Sequence, residues 1–403
     1  MNVKKRCAEI KKEIVESVCE SINSLEYDVD DEAIREIIDD AVLSNESASG
    51  FEISALVSLA ESVFYCVRCE LGILTPLVND SSITEIMVNG PENIFVEKNG
   101  SIEKTNLYFD TAEELEDIIR RIASSVHREV NEMSPILDAR LQNGSRVNAV
   151  YKNIALGGPS LSIRKFPETA LTIEDLIKFG SITREAAEYL EKLVKARYSF
   201  FISGGTSSGK TTFLNVLSDF ISEDKRTIVI EDSSELQLRN LKNVVRLECR
   251  NANVHGKGEI DMEALIKNSL RMRPDWIIVG EVRGKECTAM LQAMNTGHSG
   301  MSTGHANSVR GMLRRLEAMY LQKHAVPIES IRQQIAQGIE IIVHLGRIDG
   351  KGRKVLEIAE IEGLNENEFI INTIFKYKLN EGLVPTGNSL VNREKLEMAG
   401  VDL

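Results

Sequence analysis

The chain has 403 residues, 42% of them apolar and 27% charged, a globular composition with enough length for two to three domains. Its net charge of −13 disfavours a nucleic-acid partner, because phosphate backbones need a concentrated cationic surface. No run approaches the roughly 18 consecutive apolar residues of a membrane-spanning helix.

The start, MNVKKRCAEIKKEI, carries cations without the apolar stretch of a leader, so a cytoplasmic protein is expected. Residues 1–70 are predicted helical. Apolar side chains recur at three- and four-residue spacing through Ile10, Ile14, Val18 and Ile22, and again from Ile34 to Val42. NESASG at 45–50 interrupts the pattern, which resumes at Ile53. Residues 71–167 change to short β-rich runs (ITEIMVNG, NIFVEKNG, SIEKTNLYF) with one amphipathic helix from about Ala112 to Val126, an α+β domain. From 168 to 403, Thr172 and Asp175 suggest a helix capping box. The apolar runs SFFISGG, RTIVIED and WIIVGE then alternate with helical segments, which predicts a mostly parallel, helix-covered sheet. IEIIVHLGRIDGKGRKVLEIAEI reads as a hairpin with a glycine-rich turn. Six cysteines, at 7, 19, 66, 69, 249 and 287, are too sparse for a disulfide scaffold. The C-x-x-C of Cys66 and Cys69 has no second pair, so it reads as two helical cysteines rather than a zinc site.

Gly204 to Thr211 spells GGTSSGKT, a complete G-x-x-x-x-G-K-T between an apolar strand and the helix-compatible TFLNVLSDF. Gly204 and Gly209 let the loop through Gly205, Thr206, Ser207 and Ser208 turn its N–H groups toward phosphate oxygens. The next helix, with Thr212 in its first turn, adds its positive end. Lys210 is placed to hold the β- and γ-phosphates of ATP, and the Thr211 hydroxyl to ligate Mg²⁺.

Hydrolysis also needs a group that positions water. Glu231 to Glu235 follow one strand and Gly280-Glu281 another, at the carboxyl ends where ligands bind in parallel sheets. Of Glu281 and Glu235, one is expected to hold the Mg²⁺ shell and the other to polarise water. The plainer alternative is that they solvate the sheet edge or cap a helix. In MNTGHSGMSTGHANS, His298 and His305 stand seven residues apart, not at the i,i+4 spacing of a helical zinc pair. A proton-sharing segment that senses phosphate is expected, a surface loop being the alternative.

The blocks GGTSSGKTT, TIVIEDSSELQL, IIVGEVRGKE and NTGHSGMSTGHANS occur in that order. Together they resemble the Walker A, Asp box, Walker B and His box of the type II/type IV secretion ATPase superfamily. With ITEIMVNGPENIFVEKNG, SPILDARLQNGSRVNAV, LSIRKF and NSLRMRPDWIIVGEVRGKE, the chain most resembles the CpaF (TadA) family of Flp, or tight-adherence, pilus assembly. The resemblance implies an α/β fold: a RecA-like P-loop core preceded by an α+β N-terminal domain and a leading helical bundle. It implies ATP and Mg²⁺ as ligands, a homo-hexamer, and inner-membrane pilus or secretion platform proteins as partners at the inner face of the membrane. Glu235 falls on the acidic position closing the Asp box, Glu281 on the Walker B glutamate, and His298 and His305 on the His box. Gly280 stands where an aspartate is usual, which implies that Mg²⁺ is held through water. Arg140, Arg146 and Arg164 lie in blocks resembling the family's nucleotide-facing N-terminal surface and are expected to supply further cations to ATP. The paired C-x-x-C motifs of some assembly ATPases are absent, so no zinc subdomain is expected. Three other functions share these features: a type IV secretion traffic ATPase, a RecA-like nucleic-acid translocase, which would need a basic channel, and a nucleotide-binding regulator without turnover.

Overall fold

The computed structural model describes residues 3–25, 29–98, 100–166, 171–250, 252, 257–322 and 326–403. It forms two compact units, Met1–Glu168 and Thr169–Leu403. Among the described residues no helix is long and apolar enough to cross a membrane.

Unit 1 has two apolar cores. Helices α1 (Val3–Asn23), α2 (Asp31–Ser44) and α3 (Ile53–Arg68) bury Ile10, Ile14 and Val18 against Ile34, Ile38, Val42, Val63 and Phe64. Asp30 starts α2 by accepting a hydrogen bond from the Ala33 amide. A short α4 (Thr75–Asn79) precedes β1 (Ile83–Asn89), β2 (Ile94–Lys98) and β3 (Ser101–Lys104). Then come α5 (Ala112–Ser125), β4 (Ile136–Arg140), β5 (Arg146–Val150) and β6 (Ser160–Arg164). The six strands form one antiparallel sheet in the order β3-β2-β1-β6-β5-β4. Thr111 caps α5, whose Leu115, Ile118, Ile119 and Ile122 share a core with the sheet residues Ile86, Val88, Val147 and Ile163. The two parts of unit 1 are joined by a buried cation: Lys11 of α1 donates to Asp110 (3.0 Å) and Glu114 (2.7 Å) at the start of α5. The Cys66 thiol donates to the same Glu114, and burial pushes its pKa up to about 12, so it keeps its proton. Cys69 is half-buried at the C-cap of α3.

In unit 2, α6 (Ile173–Lys178) opens with the reciprocal Thr172–Asp175 capping box and is followed by α7 (Arg184–Lys195), β7 (Phe200–Gly204) and α8 (Lys210–Ser218). Next are β8 (Thr227–Glu231), β9 (Val244–Glu248), α9 (Met262–Ser269), β10 (Trp276–Val279), α10 (Glu286–Asn295) and β11 (Ser299–His305). The elements α11 (Val309–Leu321), α12 (Ile328–Gly338), β12 (Ile341–Ile348) and β13 (Gly352–Asn365) follow. The chain ends with β14 (Glu368–Lys378), β15 (Gly382–Pro385) and α13 (Glu394–Ala399). One nine-stranded sheet has the order β15-β14-β13-β12-β7-β11-β10-β8-β9. It is parallel from β12 to β9 and antiparallel from β12 to β15, the β12–β13 pair being the glycine-turned hairpin. Strands β7, β8 and β10 are buried along their whole length. Alternate residues serve two cores, Phe200 and Ile202 on one face and Phe201 on the other.

The C-terminal segment is tied to this sheet by the buried Glu360 of β13. Its carboxylate accepts from the amides of Val391 (2.9 Å) and Asn392 (2.8 Å) and from Asn372 Nδ2 (3.1 Å). Glu360→Ala leaves the Val391 and Asn392 amides unmatched and is expected to lower unfolding free energy by about 2 kcal/mol, measured by urea denaturation.

Candidate functional site

Residues 204–212 form a loop between the end of β7 and the first turn of α8. Gly209 caps α8 at φ +93°, a left-handed conformation open to glycine, and Ser207 takes φ +56° without that freedom. Gly204 is a second forced glycine: a Cβ there would stand 2.5 Å from Ser208 Oγ and 2.6 Å from the Leu345 carbonyl oxygen. Gly205, Thr206 and Ser207 are exposed, Thr211 and Thr212 half-buried, and Ser208 and Lys210 buried.

The Lys210 ammonium donates to the carbonyls of Gly205 (2.8 Å) and Gly204 (3.3 Å) and lies 3.3 Å from His305 Nδ1. Burial lowers its pKa, against the opposing charge of Glu281. His305 closes β11 with Nε2 2.8 Å from Glu281 Oε1. Desolvation, and then Lys210, hold the His305 pKa below that of a free imidazole. The neutral ring thus accepts from Lys210 at Nδ1 and turns its Nε2–H toward Glu281. That last contact lacks hydrogen-bond alignment, so Glu281 Oε1 is a buried acceptor without a hydrogen-bond partner, as Ser208 Oγ is a buried hydroxyl without one. The other Glu281 oxygen accepts from Arg283 Nε at 2.8 Å. Desolvation opposes the Arg283 charge, but Glu281, with Asp232 and Glu235, raises its pKa.

The ends of β7, β8, β10 and β11 therefore bring Lys210, Glu281 and His305 into one chain of contacts. Glu235 lies on the loop after β8, where its amide donates to Glu231 Oε1 (2.8 Å), and the Leu236 amide donates to the same oxygen (3.0 Å). His298 is not part of this cluster. It precedes β11 at the other end of the strand, roughly 20 Å away at the usual rise, with Nδ1 near Ala293 O and Thr296 Oγ1. In unit 1, Arg140, Arg146 and Arg164 form a row across three strands, Arg140 opposite Arg146 and Arg146 opposite Arg164. Gly144, at φ +87°, turns the β4–β5 hairpin and its carbonyl accepts from Arg140 Nε (3.2 Å).

Sequence reasoning marks the stretch Glu231 to Glu235 as a candidate strand end without assigning Glu231 a role of its own, and it does not reach Arg283, Ser203 or His344. Glu231 is buried and its pKa is raised by desolvation. It also accounts for Gly280, since a Cβ there would lie 3.0 Å from Glu231 Cγ. The available signal is a lone carboxylate ending an otherwise apolar strand. Beneath the loop, Ser203 Oγ and His344 Nδ1 are 2.8 Å apart and buried, one residue before Gly204.

A strand–loop–helix phosphate cradle at the carboxyl edge of a parallel sheet, with acidic groups at neighbouring strand ends, defines a P-loop α/β protein. The chain belongs to the type II/IV secretion system protein family, whose model matches residues 68–371. It is similar to an uncharacterised protein of Methanocaldococcus jannaschii, 45% identical over 246 residues, 59% of this chain and 34% of that protein. It is also similar to the conjugal transfer protein TrbB of Rhizobium radiobacter, 31% identical over 298 residues, 72% of this chain and 88% of TrbB. The match spans about a third of the first relative's length and most of the second's. The solved structure of the Legionella pneumophila ATPase DotB shares the fold, with 20% identity, a TM-score of 0.52, and coverage of 71% of this chain and 79% of that one.

Burial holds the His344 pKa below that of a free imidazole. As pH falls through about 6.5 the unfolded chain takes up this proton first, so stability is expected to drop below that pH. Urea unfolding at about pH 7.5 and about pH 5.5 checks this: His344→Gln should lose less stability over that interval than the unaltered chain.

Proposed function

We propose that this chain is an ATP hydrolase that works as a homo-hexameric ring and powers assembly of a Flp or type IV-like pilus, or a related secretion system, at the inner face of the cell membrane. The observation that supports it most is the buried Glu281 Oε1, without an aligned hydrogen bond, beside His305, whose other ring nitrogen meets the Lys210 that closes the phosphate loop. An ammonium bonded to carbonyls and a neutral ring, an unmatched Ser208 hydroxyl and a crowded glycine at 204 fit a phosphate chain. Mg²⁺ would be held by Thr211 and, through water, Glu281, and would neutralise phosphate charge.

In this reading Lys210 exchanges its carbonyl partners for phosphate oxygens. Glu281, its second oxygen held by Arg283, orients water through Oε1 and draws on its proton. His305 stays neutral and carries the change at Lys210 to Glu281. Glu235 assists from the β8 loop. Lys210→Ala is expected to abolish ATP binding. Glu281→Gln, which keeps shape and loses charge, should bind ATP while hydrolysis drops on the order of a hundredfold. Equilibrium nucleotide binding and single-turnover phosphate release separate the two. Loss of binding in Glu281→Gln with bound ATP turned over normally would make its role structural.

A second reading, a type IV secretion traffic ATPase, is supported by the likeness to a conjugal transfer protein. The membrane protein that copurifies with the chain decides between them, and hydrolysis unaffected by added nucleic acid speaks against a translocase. In the assembled ring at least Arg140 or Arg146 is proposed to supply a cation to a nucleotide across a domain or subunit boundary, matching charge that one lysine and one Mg²⁺ leave uncovered. Mixing Arg146→Ala chains with Lys210→Ala chains is then expected to restore hydrolysis in mixed rings. Proven mixing without recovery overturns action from a neighbour.

A further inference from the structure

The phosphate loop works only if its N–H groups converge, and convergence requires left-handed residues at 207 and 209. Gly209 adopts that conformation freely. Ser207 does not, because its Cβ crowds the following carbonyl oxygen. The Ser207 carbonyl, turned out of the loop, accepts from Arg353 Nε at 2.9 Å. The Arg353 side chain crosses Gly209, where an added Cβ would lie 3.4 Å from its Cδ.

Arg353 is itself held from behind. Its carbonyl accepts from Ser181 Oγ (2.8 Å), and the next amide but one, Val355 N, donates to the Ser181 carbonyl (2.8 Å). Between them, the buried Lys354 donates from Nζ to the Phe179 carbonyl (2.8 Å). Gly180, at φ +61°, makes room for it: a Cβ there would lie 3.3 Å from Lys354 Nζ. The α6–α7 turn thus grips β13 on both sides of the residue that grips the phosphate loop.

We infer that Arg353 is a positioning residue of the phosphate loop, holding Ser207 in the left-handed conformation through its Nε and linking the loop to the α6–α7 turn. The inference rests on the reading of residues 204–212 as a nucleotide site. Without the bond, Ser207 relaxes to negative φ, the Ser207–Ser208 peptide swings out of the cradle, and only a fraction of molecules remain competent to bind.

Titration with a fluorescent ADP analogue and Mg²⁺ tests it. Arg353→Ala is expected to weaken binding about tenfold. Arg353→Gln, whose Nε2 stands at the same point along the side chain as Nε of arginine, should stay within about threefold of the unaltered chain. Adding Ser207→Gly to Arg353→Ala should recover most of the affinity, because glycine takes positive φ without strain. Two results overturn the inference: full affinity in Arg353→Ala, or binding as weak in Arg353→Gln as in Arg353→Ala with no recovery by Ser207→Gly. The second would mean that the guanidinium charge itself meets the nucleotide. Lys210→Ala distinguishes the two levels: if it binds the analogue normally, the nucleotide-site reading falls and this inference with it.

Discussion

A parallel strand covered on both faces has no side open to water, so its side chains must be apolar and its backbone fully paired. Strands β7, β8 and β10 are under that constraint from end to end. Polar chemistry is left with only the strand ends. Because the strands run in one direction, their carboxyl ends share an edge, and neighbours in the sheet order become neighbours in the site. The P-loop, Glu231, Glu281 and His305 are all consequences of that edge. Gly280 shows how little room it has, since the carboxylate of one strand occupies the place where the next strand would put a side chain.

Charge along the edge alternates from the buried Lys210 through a neutral His305 to Glu281 and Arg283. The neutral ring is what makes the sequence workable. A protonated imidazole 3.3 Å from the lysine would place two cations side by side with little water to screen them. The same arrangement leaves one carboxylate oxygen without an aligned donor, and an unmatched buried acceptor costs free energy until something fills it.

On the other side of β7, the parallel β12 and its antiparallel partner β13 give the loop its outer wall. The Leu345 carbonyl bounds Gly204, Arg353 reaches Ser207, and Glu360 holds the C-terminal segment against the sheet. Residues more than a hundred positions from the P-loop in sequence therefore set its shape. The matched family region, 68–371, includes this wall but begins only at the last residue of α3, the third helix of the N-terminal bundle. Within unit 1, the buried Lys11 ties that bundle to the start of α5 through two half-buried carboxylates.

Local patterns in the chain already carried the strand before residue 204, the helix after 209, the capping box at Thr172, the amphipathic α5 and the β12–β13 hairpin. Each of these depends on residues within a few positions of one another, where backbone preference and hydrophobic period act directly. Contacts between distant segments had no such signal. The contact of Glu231 with Gly280 exists only in the sheet, His344 stands out only beneath Ser203, and Arg353 only when β13 pairs along β12 next to β7. Sequence spacing alone put His298 and His305 in one motif. Strand β11 then held them at opposite ends, because an extended chain adds about 3.3 Å for every residue. Which residues form the strand–loop–helix motif was a local property of the sequence. Which groups support them was decided by sheet order, because only the sheet brings those residues within hydrogen-bond reach.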